Sequence, residues 1–412
     1  MTHDTLLRRI LDPSARADPY PLYAELRKTP VLRDGDDLFV VSTYWEIKGL
    51  LHDPRISSDA RNLSPGAAGT LLQEEEEDSP LPPAFLRLDP PEHDRLRRMT
   101  MRPFGPPETP RRVHDMRGEL TRIVSGLIDD FGDRKQVDLV DDFSYPFPVT
   151  VICRLLGVPR EDEARFHSWA DTIAAGLDPA PGQDPGENRR ATRQARTDLG
   201  RYLAELIDER GGAPGDDMLS ALVTQHGADG RMTRMEVLST AALLLIAGHE
   251  TTVNLITNGM LTLLRNPEVL ERLRSDPALA APLVEELLRF EPPVQLLPQR
   301  TTVADIDIGG TTIPRGASVW LVLASGNRDP KRFAAPDRFD PGRRDNQHLG
   351  FGSGIHNCFG APLARLEAQI ALTELARRLD NPRLVADPPP YRQNAVLRGP
   401  RHLEVAFDAL GT

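Results

Sequence analysis

The stretch that most constrains the fold runs from Thr233 to Arg265. Thr233 followed three residues later by Glu236 forms a capping box that opens a helix, and Asn266-Pro267 ends it. A helix of that length spans about 45–50 Å at a rise of 1.5 Å per residue, enough to cross a whole domain. Its apolar run, Ala241 to Ala247, is followed by Gly248-His249-Glu250-Thr251-Thr252-Val253-Asn254. Glycine and paired threonines weaken a helix interior, and a glutamate among apolar residues is costly unless it is paired. Polar groups at the centre of a long buried helix point to chemistry. The competing reading is an amphipathic helix whose polar side faces solvent.

A second stretch poses a related question. His348-Leu349-Gly350-Phe351-Gly352-Ser353-Gly354-Ile355-His356-Asn357-Cys358-Phe359-Gly360 leads into the helix-like run Ala361 to Glu367. Glycines let backbone approach a bulky group and adopt conformations that other residues avoid. The start of the following helix, with its unpaired N–H groups, favours a thiolate over a thiol at Cys358. From this stretch alone, Cys358 is either a nucleophile or a metal ligand.

Around these two anchors the pattern is mostly helical. Val31–Arg33 and Leu38–Val41 read as a hairpin across Asp34-Gly35-Asp36-Asp37, and 44–51 as a helix. Residues 57–91 read as a loop containing the acidic run Glu74 to Asp78, either a solvated segment or a lid over a site. His93 and Arg97 are four apart and share a helix face. Further helices are expected over 112–131, 144–156, 161–176 and 187–210, with Cys153 a buried structural thiol. Glu286 and Arg289 are placed to pair along a helix. Residues 305–316 read as a hairpin leading into a strand over 318–323, and the last helix ends near Leu379.

Bulk properties exclude several classes. The 412 residues carry 50 basic and 61 acidic side chains, a formal charge of −11, which argues against a nucleic-acid binder. Two cysteines rule out a disulfide framework and fit a reducing cytoplasm. The N-terminal residues lack the pattern of a signal peptide, and the longest apolar run falls far short of the roughly 20 residues that a spanning helix needs.

Taken together, the chain resembles the cytochrome P450 family, in its soluble bacterial form, over nearly its whole length. The cysteine loop matches the family pattern at Phe351, Gly354, His356, Cys358 and Gly360. The long helix matches at Ala247, Gly248, Glu250 and Thr251, Glu286 and Arg289 match the Glu-x-x-Arg pair, and Arg338 matches the third member of that ion network. The joint match is specific, whereas the Glu-x-x-Arg alone would carry almost nothing.

The resemblance implies a mainly α fold with small β-sheets (α+β), one haem domain over residues 1–412, and haem b between the long helix and the cysteine loop. Cys358 would be the axial iron ligand, its thiolate favouring O–O cleavage. His93, Arg97, Arg300 and His356 would hold the haem propionates, which moves His356 from candidate metal ligand to propionate partner. Glu250 and Thr251 would deliver protons to dioxygen through ordered water, Gly248 would leave room for it, and Ala247 would lie near the ring. Glu286, Arg289 and Arg338 would be structural.

The acid and alcohol pair favours O2 with electrons from partners over use of peroxide. Two cysteines cannot hold an iron–sulfur cluster that takes four, so a separate ferredoxin and ferredoxin reductase are implied, docking near Arg98, Arg102 and Arg365. The expected protein is a monomeric cytoplasmic monooxygenase without membrane or nucleic-acid partners. Its apolar pocket would be drawn from 57–91, 165–200, Val294 to Leu297 with Gln295 as the polar member, and Ala395 to Leu397. Two other readings compete: a catalytically silent haem protein, such as a gas sensor or a docking partner in biosynthesis, and a Cys358–His356 nucleophile.

Overall fold

The computed structural model describes residues 5–35, 37–63, 83–105, 109, 111–177, 185–226 and 229–411. The acidic run Glu74 to Asp78, and with it most of the expected loop over 57–91, lies outside these residues. Helices dominate, and five that shape the site are named here: α1 (Glu92–Phe104), α2 (Pro146–Leu156), α3 (Arg234–Arg265), α4 (Ala280–Phe290) and α5 (Ala361–Arg378).

Helix α3 is the axis of the core. Thr233 Oγ1 accepts from the Glu236 N–H while the Glu236 carboxylate accepts from the Thr233 N–H at 2.8 Å, so the capping box forms as the sequence predicts. The helix is buried along most of its length and packs against α2, α5 and the helix Pro185–Gly212. Such burial on several sides suits a helix whose apolar residues are not confined to one stripe. No described helix is long and apolar enough to cross a membrane.

Strands β1 (Val31–Arg33), β2 (Leu38–Val41), β3 (Ile56–Ser57), β4 (Leu297–Thr302) and β5 (Ser318–Leu321) form one sheet, in the order β1-β2-β5-β4-β3. The predicted hairpin pairs Val31 with Val41, and β2 runs parallel to β5. The remaining sheets have two or three strands.

Most boundaries fall within a few residues of expectation, and the differences have local causes. The helix expected over 112–131 divides at Met116 into Arg112–Asp115 and Arg117–Asp129. Ahead of α2, Val140–Ser144 forms a π turn, and α2 itself begins at Pro146, whose missing N–H costs nothing in a first turn. The helix Met218–Thr224 escapes the sequence pattern because it is short.

The segment between β5 and α5 is fastened by a buried ion pair. Arg289 and Glu286 on α4 are fully buried and joined by two hydrogen bonds of 2.7 and 2.8 Å. Arg289 also donates to the carbonyls of Asn327, Pro336 and Arg338, and Glu286 accepts from the Asp340 N–H, Arg343 and Asn346. This corrects the expectation for Arg338: its side chain is exposed and only its carbonyl enters the network, while Arg343 supplies the third charged member. A flexible arginine five residues further along reaches Glu286 from outside, which the motif spacing does not reveal.

Removing one partner would strand a buried charge. Glu286→Ala is expected to cost about 3–5 kcal/mol, read as a lowered urea midpoint with an unchanged m-value.

Candidate active site

Residues of α3, of the cysteine loop and of the β4 approach enclose one cavity, with about 1420 Å³ of space unfilled by protein atoms, part of it open to solvent. Ala247, Gly248, Thr251 and Thr252 form one wall, and Phe351, His356, Cys358 and Gly360 form the other. Arg97 and Arg300 lie at its margin. Leu243, Leu244, Val294 and Leu297 make the wall beyond α3 apolar.

The loop's shape follows from its glycines at two points. Gly354 has φ +70°, and a Cβ there would run into the Leu51 carbonyl; a Cβ on Gly350 would sit 2.5 Å from the Leu288 carbonyl oxygen. Cys358 N–H donates to the Phe351 carbonyl at 2.9 Å and closes the loop. Gly360 differs: its φ is negative and a Cβ would meet no protein atom, yet it lines the cavity. The room it leaves belongs to the cavity.

Protein surrounds Cys358 closely, but its side chain opens into this space. Burial raises the thiol above its ordinary pKa, opposed by the N–H groups of Gly360 and Ala361 and by Arg97 and Arg365. The N–H groups of the helix start thus favour the thiolate, as the sequence implies, against the cost of burial. A cation in the cavity would favour it further. Cys153, by contrast, is buried in the core and its thiol is pushed up to about 12 by burial, as expected of a structural residue.

The basic residues converge on one edge. The His93 and His356 rings lie 4.4 Å apart, and His93 Nε2 and His356 Nδ1 are buried without hydrogen-bond partners among the described residues. Burial, together with Arg300, His93 and Arg97, holds the His356 imidazole neutral, down at about 3. Burial likewise lowers Arg300 to about 10, and Arg87 adds to the effect. Arg97 donates to the Asn357 carbonyl at 2.6 Å. Buried cations and orphaned imidazole nitrogens at one cavity edge match what a pair of carboxylates would require. With the open sulfur and the clearance at Gly360, the residues fit a haem.

The structure separates the two residues expected to act together on α3. Thr251 is on the cavity wall, its hydroxyl donating to the Ala247 carbonyl at 2.7 Å. Glu250 is buried, is not part of the cavity wall, and pairs with Arg392 at 3.1 Å. One helical step turns a side chain by about 100°, so neighbours in sequence face different surroundings. Gly248 has its own tight contact, since a Cβ would lie 2.9 Å from Ile152 Cδ1.

Other expectations for the pocket need correction. Gln295 is fully buried away from the cavity, donating to the Pro292 carbonyl and accepting from Tyr23. Ala395 to Leu397 do not line the cavity either, although Leu397 forms a bridge with Val294. From 57–91, only Phe85 and Leu86 reach it among the described residues, and none does from 165–200. Sequence reasoning gave no role to Arg392 or to Glu367, which lines the cavity and whose carboxyl burial drives well above its ordinary range. The arrangement of Gly360, Cys358 and the α5 start held no hint of Glu367, because one glutamate in a helix carries no signal of its own.

Removing a cation from the edge should loosen whatever it holds. Arg300→Leu is expected to speed haem loss to apomyoglobin by roughly 10-fold or more, in keeping with one charge-assisted hydrogen bond of about 1.5–3 kcal/mol.

Comparison with known proteins accords with this geometry. The Cytochrome P450 family profile matches residues 76–407. The chain is 42% identical to cytochrome P450 monooxygenase PikC of Streptomyces venezuelae over 406 residues, 95% of this chain and 91% of that protein. It is 38% identical to 6-deoxyerythronolide B hydroxylase of Saccharopolyspora erythraea over 420 residues, covering 96% and 97%. Among solved structures, the bacillaene polyketide synthase cytochrome P450 PksS of Bacillus subtilis 168 superposes with a TM-score of 0.87 at 32% identity, covering 97% of this chain and 99% of that one.

Proposed function

The chain belongs to the cytochrome P450 family, and from that premise we propose that it oxidises a largely apolar organic molecule of secondary metabolism, with electrons from a separate ferredoxin and its reductase. It is a monooxygenase that binds haem b. The haem activates O2 so that one oxygen atom enters the substrate and the other leaves as water. The observation that carries the finer reading is the cavity itself: a cysteine sulfur on one wall, and two threonines on a largely apolar wall opposite.

Cys358 would hold the iron, and the Gly360 and Ala361 N–H groups would temper its charge. Arg97, Arg300, His93 and His356 would anchor the propionates. Thr251, whose hydroxyl is donated to Ala247, keeps its oxygen lone pairs available to accept a hydrogen bond from the cavity side. In this role it orders water and passes protons that originate at Glu250. The whole chain would act as one haem domain.

The substrate reading rests on the lining and on the relatives. Val294, Leu297, Leu243 and Leu244 offer no hydrogen bonds, so shape and apolar area would select the substrate, whether for hydroxylation or epoxidation. One relative is named for hydroxylating 6-deoxyerythronolide B and another for polyketide biosynthesis, which supports a substrate of that kind. A titration of the ferric spin state against a panel of polyketides, steroids and fatty acids would test it, and a response confined to fatty acids would discard the polyketide reading.

Electron delivery would occur from the cysteine side, in the cytoplasm. Arg98 and Arg102 both pair with Asp229, while Arg365 is bound to Glu285. Arg98→Glu is expected to lower the ferredoxin-dependent reduction rate, most strongly at low salt; an unchanged rate would remove Arg98 from the docking surface. A silent haem protein would have no use for coupled proton delivery. Thr251→Ala is therefore expected to cut product formed per NADPH by roughly 10-fold with release of peroxide, measured by oxygen, peroxide and product balance.

A further inference from the structure

Between α4 and β4 the chain passes the cavity in an irregular strip, Glu291 to Leu296. Pro293 and Val294, with Leu297 just beyond, line the cavity, whereas Gln295 and Leu296 are fully buried and are not part of its wall. Pro292 and Pro293 remove two N–H groups that a neighbouring strand could have held. The backbone pairing that remains is sparse. Gln295 N–H donates to the Val396 carbonyl at 2.8 Å, the Pro293 carbonyl accepts from the Arg398 N–H at 2.8 Å, and the Gln295 carbonyl accepts from the Ala324 N–H at 3.0 Å. The shape of the strip therefore depends on the side chains behind it.

One of these spans the gap. The Gln295 carboxamide donates through Nε2 to the Pro292 carbonyl at 2.6 Å and accepts through Oε1 from the Tyr23 hydroxyl at 3.2 Å. The first bond closes the turn through Pro293 and Val294, and the second fastens that turn to the helix Tyr20–Leu26. Tyr20 on the same helix donates to the Phe290 carbonyl at 2.8 Å, where the strip begins. Arg398 is buried, pairs with Glu291 and donates to the carbonyls of Arg16 and Ala17. Tyr20, Tyr23, Gln295 and Arg398 all lie outside the cavity wall. Burying a carboxamide is costly without hydrogen bonds, so the two bonds of Gln295 hold one rotamer and, through it, one shape of the turn.

We infer that Gln295 and Tyr23 are positioning residues for substrate selection: through the turn at Pro292 to Val294 they set how far the Val294 and Leu297 side chains stand into the cavity. The inference rests on the proposed role of that apolar wall in choosing the substrate. An apolar pocket distinguishes ligands by fit, and one methylene of misfit is worth roughly 10- to 200-fold in specificity. Close-packed interiors transmit a displacement of that size rather than absorb it. A rigid apolar ligand feels the moved wall in full, because it has no torsion with which to turn around it. The N-terminal helix thereby takes part in selecting the substrate without touching it.

The test is ligand binding to the holoenzyme, followed by the spectral shift that an imidazole causes when its nitrogen meets haem iron. Imidazole reports on the iron, and 4-phenylimidazole adds a rigid apolar group. Gln295→Met keeps the length of the side chain and removes both hydrogen bonds; Tyr23→Phe removes one. Gln295→Met should change the Kd of 4-phenylimidazole relative to imidazole by roughly 10-fold. Tyr23→Phe should change it in the same direction by about 3-fold, and the double variant should match Gln295→Met alone. The Kd of imidazole and the carbon monoxide spectrum should stay at wild-type values in all three. Tyr23→Phe, the milder change, carries the test alone if Gln295→Met fails to fold. A lowered urea midpoint with an unchanged Kd ratio would reduce the pair to structural support and overturn the inference, as would effects that multiply in the double variant. Val294→Ala checks the premise and should also move the ratio. An unchanged ratio in Val294→Ala would overturn the reading of the wall as the selector, and this inference with it.

Discussion

A cysteine sulfur facing an enclosed cavity is the constraint on which the rest of the structure depends. Burial raises the Cys358 thiol, and the N–H groups of Gly360 and Ala361 with Arg97 and Arg365 work against it. A haem iron bound in the cavity would favour the thiolate further. The surrounding architecture holds the loop in place. The buried Glu286–Arg289 pair secures the segment leading into the loop, and Asn327 accepts from the Leu349 N–H at 2.7 Å at its start. A network of this kind is costly to desolvate, and full satisfaction of its hydrogen bonds is what makes it tolerable.

Helix α3 answers the loop from the other side of the cavity and faces two environments. One side presents Ala247, Gly248 and Thr251 to the cavity; another carries Glu250, Asn254 and Asn258 against the Tyr391–Pro400 segment. The polar residues that look misplaced in the middle of an apolar helix are divided between a reaction space and a buried polar compartment. Each face on its own would be a weak basis for function. Their adjacency across one helical turn gives the apparent irregularity of the sequence a physical purpose.

How much of this was legible depended on distance along the chain. The capping box at Thr233, the hairpin at 31–41, the glycine-bearing loop and the Glu286–Arg289 pair are local, and spacing alone reveals them. Gln295 misled because it lies in the irregular stretch ahead of β4, where no period says which way a side chain turns, and here it is held by Pro292 and Tyr23. Arg338 misled because a matching residue type is no guarantee of its rotamer; Arg343 reaches Glu286 instead. Arg392 left no trace, since 142 residues separate it from Glu250 and nothing in its own neighbourhood distinguishes it from other arginines.

The central claim is that Cys358 presents a thiolate to haem iron in this cavity. The most direct measurement is the absorption spectrum of the reduced carbon monoxide complex of the wild type, Cys358→His and Cys153→Ser. The account predicts a Soret band displaced well to the red in the wild type and in Cys153→Ser, and loss of that displacement in Cys358→His. A wild-type band at the position of a histidine-ligated haem, or a displaced band that survives Cys358→His, would contradict it.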